Sequence, residues 1–390
     1  MAAVDVIYDT GARDESRSLT GIAHLFEHLM FGGSANIPAF DKELEAAGGN
    51  SNAWTSNDFT NFFESLPAVN VETALHLESD RMLALSFSNE SLEVQRSVVI
   101  EEFKQQCLNK PYGDLMHGLR AALYGKEHPY SWPVIGLEPS HIESVKLDDI
   151  KRWFYAHYAP NNAVLAIAGN ISYEKGRELV EKWFGDIPRR DIPPRVEPAP
   201  GFPKEPVDVV MHGNVPYPTV VVAIPMEPYG TYDYRVADCI TDILSAGRSS
   251  RMIQNVILPG RASIIEADAS IMGSESPGFV MMTARVADEE HLDEAVEVLR
   301  GELAKLAEPG NVTDYELQRT LNRFESTFLL GNIDQLSIAQ NLAVAEMHGE
   351  DINEQVELQR QVTVEAIGRV ARKLISQPSV TLRYLPAKER

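Results

Sequence analysis

Hydrophobic and polar residues recur with different periods along the chain, and each period predicts a type of element. Residues 2–8 form an alternating apolar stretch that is typical of a strand. Residues 71–86 repeat leucine and methionine at helical spacing, which predicts a helix with one apolar face. In the rest of the first half, helices are predicted at 20–31, 39–47, 92–107, 147–157 and 173–183, and strands at 52–65 and 163–168. In the second half, strands are predicted at 207–211, 219–224, 262–270, 278–286 and 379–384, and helices at 232–244, 249–256, 290–306, 313–329, 334–348 and 364–375.

A dense run of prolines separates two halves of similar length. Seven prolines lie within 188–206, and this density cannot continue a helix or a central strand. We therefore predict an extended linker at 188–206 between a first domain, 1–187, and a second domain, 207–390. Strands and helices alternate in clusters within each half, which favours the α+β class over a doubly wound sheet. The two halves have a similar order of predicted elements, although no strict sequence repeat accompanies it.

Composition and charge exclude several classes of function. The chain has 57 acidic and 35 basic residues and a net charge of −22, so it lacks the basic surface that nucleic acids and anionic membranes require. Its two cysteines exclude a disulfide scaffold and a cysteine-based zinc site. No apolar run approaches the roughly 20 residues of a membrane span. Without a signal-peptide pattern at the start, we expect a cytoplasmic protein, or a periplasmic one if an N-terminal signal is missing.

The sharpest chemical signal is the sequence His24-Leu25-Phe26-Glu27-His28. On a helix, His24 and His28 lie on one face at the i, i+4 spacing, so both imidazoles can bind one zinc ion. Glu27 lies beside them and can reach a water on the metal; this is the inverted HxxEH arrangement of zinc peptidases. The alternative is a solvated helix face with incidental histidines. The neighbouring residues are nearly all apolar, however, so these polar groups need a common partner, which a cation supplies.

A hydrolytic zinc site normally has a third protein ligand. The acidic pair Glu101-Glu102 ends the apolar run 95–103 and can supply one. From periodicity alone, an ordinary amphipathic helix with a charged face is the favoured interpretation of this run.

Four segments resemble the M16 metallopeptidases, the pitrilysin or inverzincin family. They are 21–34, 49–63, 95–102 and 158–162. The second half resembles the less distinctive partner domain of that family, and the length suits the short two-domain form related to mitochondrial processing peptidase. The resemblance implies two similar α/β-sandwich halves, of which only the first binds metal.

The resemblance also implies roles for individual residues. Zn²⁺ would be bound by His24, His28 and Glu102, with Glu101 as the less favoured third ligand, and Glu27 would be the general base. The sequence Asn52-Ala53-Trp54-Thr55 matches the edge strand against which substrate peptides of the family lie. An extended peptide would add to this strand by main-chain hydrogen bonds.

One departure from the family concerns the second half. M16 enzymes usually carry an Arg and a Tyr after a segment like Ser249-Ser250-Arg251, and these groups bind substrate and the oxyanion. Here the two positions fall on Ile257 and Ile264, which cannot donate a hydrogen bond. We therefore expect a heterodimer with a second M16-type subunit that supplies the Arg and Tyr; a homodimer is less favoured.

The function implied by the resemblance is a zinc endopeptidase that cleaves short or unfolded peptides. One alternative is a catalytically weak or silent M16 subunit that binds peptides and works only with a partner chain. Another is a protein with a structural zinc ion, although such sites usually have four protein ligands.

Overall fold

The computed structural model describes residues 1–195 and 201–387, so the predicted linker residues Pro198 and Pro200 lie outside the described residues. The first half contains the strands β1 (Ala2–Tyr8), β2 (Asn50–Thr55), β3 (Thr60–Leu66) and β4 (Ala163–Gly169), and the helices α1 (Ile22–Leu29), α2 (Phe40–Ala46), α3 (Val71–Leu83), α4 (Asn89–Phe103), α5 (Leu115–Tyr124), α6 (Pro139–Ser144), α7 (Leu147–His157) and α8 (Tyr173–Phe184). The second half contains the strands β5 (Val207–Gly213), β6 (Thr219–Pro225), β7 (Ile264–Met272), β8 (Phe279–Val286) and β9 (Val380–Pro386), and the helices α9 (Tyr232–Ser245), α10 (Leu292–Ala307), α11 (Asp314–Leu330), α12 (Gln335–Met347), α13 (Gln355–Arg360) and α14 (Val364–Ser376). The predicted α+β class is confirmed.

The first sheet has four antiparallel strands in the order β2-β3-β1-β4. Every residue of the central strand β1 is buried, because helices cover both faces of the sheet. On one face Val6 and Tyr8 pack with residues of α1, α4 and α7. On the other face Ala3 and Ile7 pack against the small residues of α12.

The second sheet has five strands in the order β5-β9-β6-β8-β7. Strand β5 is parallel to β9, and the other neighbours are antiparallel. Helices α9, α10 and α14 pack on one face around Val220, Val222 and Ile224. Helix α5 covers the other face, where Leu119 and Leu123 pack with strands β6 and β9.

Helix α5 of the first half packs on the second sheet, and helix α12 of the second half packs on the first sheet. The first compact unit comprises Met1–Phe103, Trp132–Glu197 and Phe328–Glu354, and the second comprises Lys104–Ser131, Pro198–Thr327 and Gln355–Arg390. The units therefore differ from the continuous halves 1–187 and 207–390 by an exchange of α5 and α12. The physical reason is that the apolar face of each helix is buried against a sheet formed by distant sequence.

The described parts of 188–206 contain neither helix nor strand, but residues 188–195 are fastened to the first unit. The guanidinium of Arg195 donates to both Asp9 and Asp14, with distances of 2.9–3.1 Å. Arg190 donates to the carbonyl oxygens of Tyr158 and Met82. This part of the segment is thus bound to the domain that precedes it.

Several element boundaries differ from the predictions. The predicted strand 52–65 is two strands, because a turn at 56–59 reverses the chain; the hydroxyl oxygen of Ser56 accepts from the N–H groups of Asp58 and Phe59 there. The predicted helix 249–256 is a short helical segment over 251–257, which is wound as a π-helix at Ile253–Ile257. Helices α5, α6 and α13 were not predicted. Within the described residues, no helix is long and apolar enough to cross a membrane.

Candidate metal centre

Helix α1 presents the HxxEH residues on its polar face. Its N-cap Gly21 has φ 87°, a left-handed conformation that glycine adopts without strain. The apolar residues of α1 are buried in the first unit, whereas His24, Glu27 and His28 are partly exposed. The predicted helix and the predicted common face of these three residues are therefore both present.

Helix α4 brings Glu102 to the two histidines. The Nε2 atoms of His24 and His28 are 3.3 Å apart, and Oε2 of Glu102 is 3.6 Å from each of them. Tetrahedral zinc with ligands about 2.1 Å away has ligand atoms about 3.4 Å apart, so this triangle matches one face of the tetrahedron. Within the described residues, this is the one group of three or more His, Cys, Asp or Glu residues that could hold a metal ion.

The alternative ligand Glu101 does not join this group. Its side chain is exposed, whereas that of Glu102 is one-third exposed and points at both imidazoles. Periodicity could not distinguish the two, and the geometry favours Glu102.

The electrostatics of the triangle also suit a cation. Burial, and then the neighbouring His28, lower the pKa of His24 to about 4, so its imidazole is neutral at physiological pH. The Nε2 atoms of His24 and His28 lie 3.3 Å apart, and the carboxyl group of Glu102 faces both of them, so the three groups can direct ligand atoms at one point. A bound cation satisfies all three groups at once.

Glu27 lies next to this triangle and is held by the edge strand. The hydroxyl of Thr55 donates to Oε2 of Glu27. Burial raises the pKa of Glu27 to about 7; the hydrogen bond from Thr55 lowers it, and the charge of Glu102 raises it. A carboxyl group that titrates near neutral pH can both accept and return a proton.

The predicted peptide-binding residues Asn52, Ala53, Trp54 and Thr55 lie on β2, the outer strand of the first sheet. Within the described residues, β2 pairs with β3 and with no other strand. Its position beside α1 and its outer edge agree with the geometry that strand addition requires. Sequence analysis missed the contact of Thr55 with Glu27, because nothing in the local pattern relates residues 28 positions apart.

The two isoleucines in place of the family's Arg and Tyr are part of the second unit's core. Ile257 packs against its apolar cluster, and Ile264, at the start of β7, is 4% exposed. Neither position therefore provides a polar group.

Two family models match successive parts of the chain. The model described as "Insulinase (Peptidase family M16)" matches residues 1–129, and the one described as "Peptidase M16 inactive domain" matches residues 144–324. The zinc protease PqqE of Helicobacter pylori is 28% identical over 396 residues, covering 98% of this chain and 87% of that protein. The beta subunit of the mitochondrial-processing peptidase of Saccharomyces cerevisiae is 25% identical over 362 residues, covering 87% of this chain and 76% of that protein.

A solved structure agrees with these matches. The crystal structure of a protease from Helicobacter pylori has 26% sequence identity and a TM-score of 0.88, and the match covers 99% of this chain and 94% of that one. The two family models together match more than half of the chain, and both describe one family. The resemblance is thereby confirmed: the chain belongs to the M16 peptidase family.

Proposed function

We propose that the chain is a zinc-dependent endopeptidase that hydrolyses peptide bonds in short or unfolded peptides. The observation that carries the proposal is the triangle of His24, His28 and Glu102 with Glu27 beside it. Three protein ligands leave a tetrahedral ion one position for water or substrate, as in hydrolytic rather than structural sites. Relatives named zinc proteases support the same activity.

Different residues of the chain have different roles in the proposed reaction. His24, His28 and Glu102 would hold the zinc ion, which when bound lowers the pKa of a water and polarises a carbonyl. Glu27 accepts a proton from the attacking water at its carboxylate and then gives it to the nitrogen of the leaving amine. Thr55 keeps one oxygen of Glu27 in place by its hydrogen bond.

The substrate would lie as an extended strand along the outer edge of β2. Main-chain hydrogen bonds to Asn52, Ala53, Trp54 and Thr55 would hold many peptides with little selectivity, and side-chain pockets would add preference. Folded substrates would be excluded, because their backbone groups are already paired.

A second M16-type subunit is proposed to complete the oxyanion site. Ile257 and Ile264 offer no donor, and loss of one such donor typically costs about 10²–10³ in rate. A partner chain with the Arg and Tyr would supply both, so we favour a heterodimer over a homodimer. A cytoplasmic location remains a prediction.

The same two isoleucines favour a second candidate function, a subunit that binds peptides but cleaves them only within a complex. A cleavage assay on an unfolded peptide separates the two functions. The endopeptidase proposal predicts slow but measurable cleavage by the purified chain, which chelation removes, zinc restores and a partner subunit accelerates. Cleavage that occurs only after addition of a partner subunit would favour the second candidate.

Glu27→Gln tests the proposed base. We expect zinc content to be unchanged and cleavage to fall by at least the roughly 10²–10⁴-fold typical of general-base loss. Metal analysis and the peptide assay on the same preparation measure both. Wild-type cleavage by this variant would rule out the role of Glu27.

A further inference from the structure

A buried carboxylate from outside α1 caps the N-terminus of that helix. Oε2 of Glu15 accepts from the N–H of Gly21 and Oε1 accepts from the N–H of Ala23, each at 3.0 Å. The indole N–H of Trp132 donates to Oε2 at the same distance. Glu15 is only 6% exposed and Trp132 only 2%, so all three hydrogen bonds are shielded from water.

Helix α1 depends on this external cap. Its N-cap Gly21 has no side chain, so the first N–H groups of the helix would otherwise be buried without acceptors. Burial raises the pKa of Glu15 to about 8, whereas the hydrogen bonds from Ala23, Gly21 and Trp132 lower it by favouring the ionised form. Since α1 has only eight residues, loss of its first turn would affect a large part of it.

The capped turn contains the first metal ligand. His24 is the third residue of α1, directly after Ala23, whose N–H Glu15 holds. His28 lies one turn later, so the 3.3 Å separation of the two Nε2 atoms depends on a regular first turn.

We propose that Glu15 is a positioning residue for the metal centre, fixing the first turn of α1 so that His24 and His28 present a preformed pair of ligands. The inference rests on the proposed function. Trp132 acts through Glu15 by fixing the orientation of its carboxylate. Groups that orient metal ligands typically affect metal affinity by about 10–100-fold.

The test is zinc affinity, measured by competition with a chromophoric chelator, together with thermal unfolding of the metal-free protein. Glu15→Gln keeps the size of the side chain but replaces one acceptor oxygen by an N–H₂ group that faces helix N–H donors. Its control is Asp5→Asn, which also converts a buried carboxyl group of the first unit into an amide, one that accepts from Asn61 instead of from α1.

We expect Glu15→Gln to weaken zinc binding by about 10–100-fold. Asp5→Asn should bind zinc as the wild type does, whatever its unfolding temperature. Wild-type zinc affinity in Glu15→Gln, with lowered thermal stability alone, would overturn the inference and reduce Glu15 to a helix cap. If Glu15→Gln does not fold, Trp132→Phe decides: weaker zinc binding supports the inference, and unchanged binding overturns it.

Zinc binding by the wild-type chain distinguishes a failure of this inference from a failure of the proposed function on which it rests. Absence of zinc binding by the wild-type chain would refute the metal centre itself. Zinc binding by the wild type that Glu15→Gln leaves intact would refute only the role of Glu15.

Discussion

The two units of the molecule are built on one plan, yet within the described residues only the first unit groups three potential metal ligands. Strand order β2-β3-β1-β4 in the first unit recurs as β7-β8-β6-β9 in the second, which adds β5 at its edge. Helix α1 follows the central strand β1, and α9 follows the central strand β6. The pattern of buried and partly exposed positions along 22–30 recurs along 236–244 except at one position.

The side chains at these matching positions explain the difference. Where α1 has His24 and His28, α9 has Asp238 and Asp242, also four residues apart. The guanidinium of Arg323, on α11, donates to Asp242. Burial, and then the charge of Asp242, raise the pKa of Asp238 to about 6. The second unit thus pairs its acidic residues with an arginine, whereas the first brings two imidazoles and the carboxyl group of Glu102 together, where a cation can bind.

A second difference lies in the two central strands. Strand β1 contains the buried Asp5, whereas the buried residues Val220–Ile224 of β6 are all apolar. The first unit also buries Arg81 together with Glu64 and Glu78. The unit with the candidate metal centre therefore has the more polar interior, and buried charges of this kind are costly unless fully paired.

The largest expected effect comes from removing the third ligand. Glu102→Gln should weaken zinc binding by more than the roughly 100-fold upper value for groups that only orient ligands. Glu101→Gln is the matched control, because Glu101 is the adjacent exposed carboxylate. Equilibrium dialysis of both variants measures the difference. Equal zinc affinities would contradict the assignment of Glu102.

Asp5→Asn tests the polar interior through pH. Burial raises the pKa of Asp5 from 3.8 to about 7, so the folded chain keeps a proton that the unfolded chain loses as pH rises from 4 to 7. The free energy of unfolding should fall across this range by up to about 4 kcal/mol, at about 1.4 kcal/mol per pKa unit. Chemical denaturation at several pH values should show a smaller fall for Asp5→Asn. Burial also raises the pKa of Glu64, so part of the pH dependence should persist in Asp5→Asn. If the free energy of unfolding of Asp5→Asn depends on pH as that of the wild type does, Asp5 is not a cause of the pH dependence.

Thr55→Val separates two roles for one residue of β2. If its hydroxyl positions Glu27, kcat should fall about 10–100-fold with KM unchanged, because misplaced reacting groups lose rate at constant binding. Thr55→Ser keeps the hydroxyl and should retain most of the rate. A rise in KM alone would indicate that Thr55 only binds the peptide.

The smallest effect is expected for Arg323→Ala in the second unit. Arg323 is 54% exposed at its side chain, and exposed ion pairs contribute about 0–1 kcal/mol. We expect a loss of stability within that range and no additional zinc, since only two carboxylates remain. A second zinc ion in this variant would show that the guanidinium alone keeps metal out of the second unit.

Prediction from sequence succeeded where the determining interactions are local. The i, i+4 spacing of His24 and His28 placed them on one helix face, because helix geometry depends on near neighbours. Glu102 could be distinguished from Glu101 only by resemblance, since the fold decides which of two adjacent side chains reaches another helix. The contacts of Glu15 with α1 and of Thr55 with Glu27 have no local signature.

The exchange of α5 and α12 between the two halves also depends on interactions between residues that are distant in sequence, so it could not be predicted from local patterns. Each helix has an apolar face that the sequence reveals only in outline, and a proline-rich segment suggested that each half folds by itself. Burial of Leu119 in the second unit and of Ala339 in the first depends on surfaces formed by distant strands.

The most direct test of the metal centre is a crystal structure of the zinc-loaded chain with anomalous data collected at the zinc absorption edge. The account predicts one strong anomalous peak per chain, within about 2.0–2.2 Å of His24 Nε2, His28 Nε2 and a carboxylate oxygen of Glu102. No peak should lie at Asp238 and Asp242. A peak elsewhere, or a fourth protein ligand that closes the site, would contradict a hydrolytic zinc centre in the first unit.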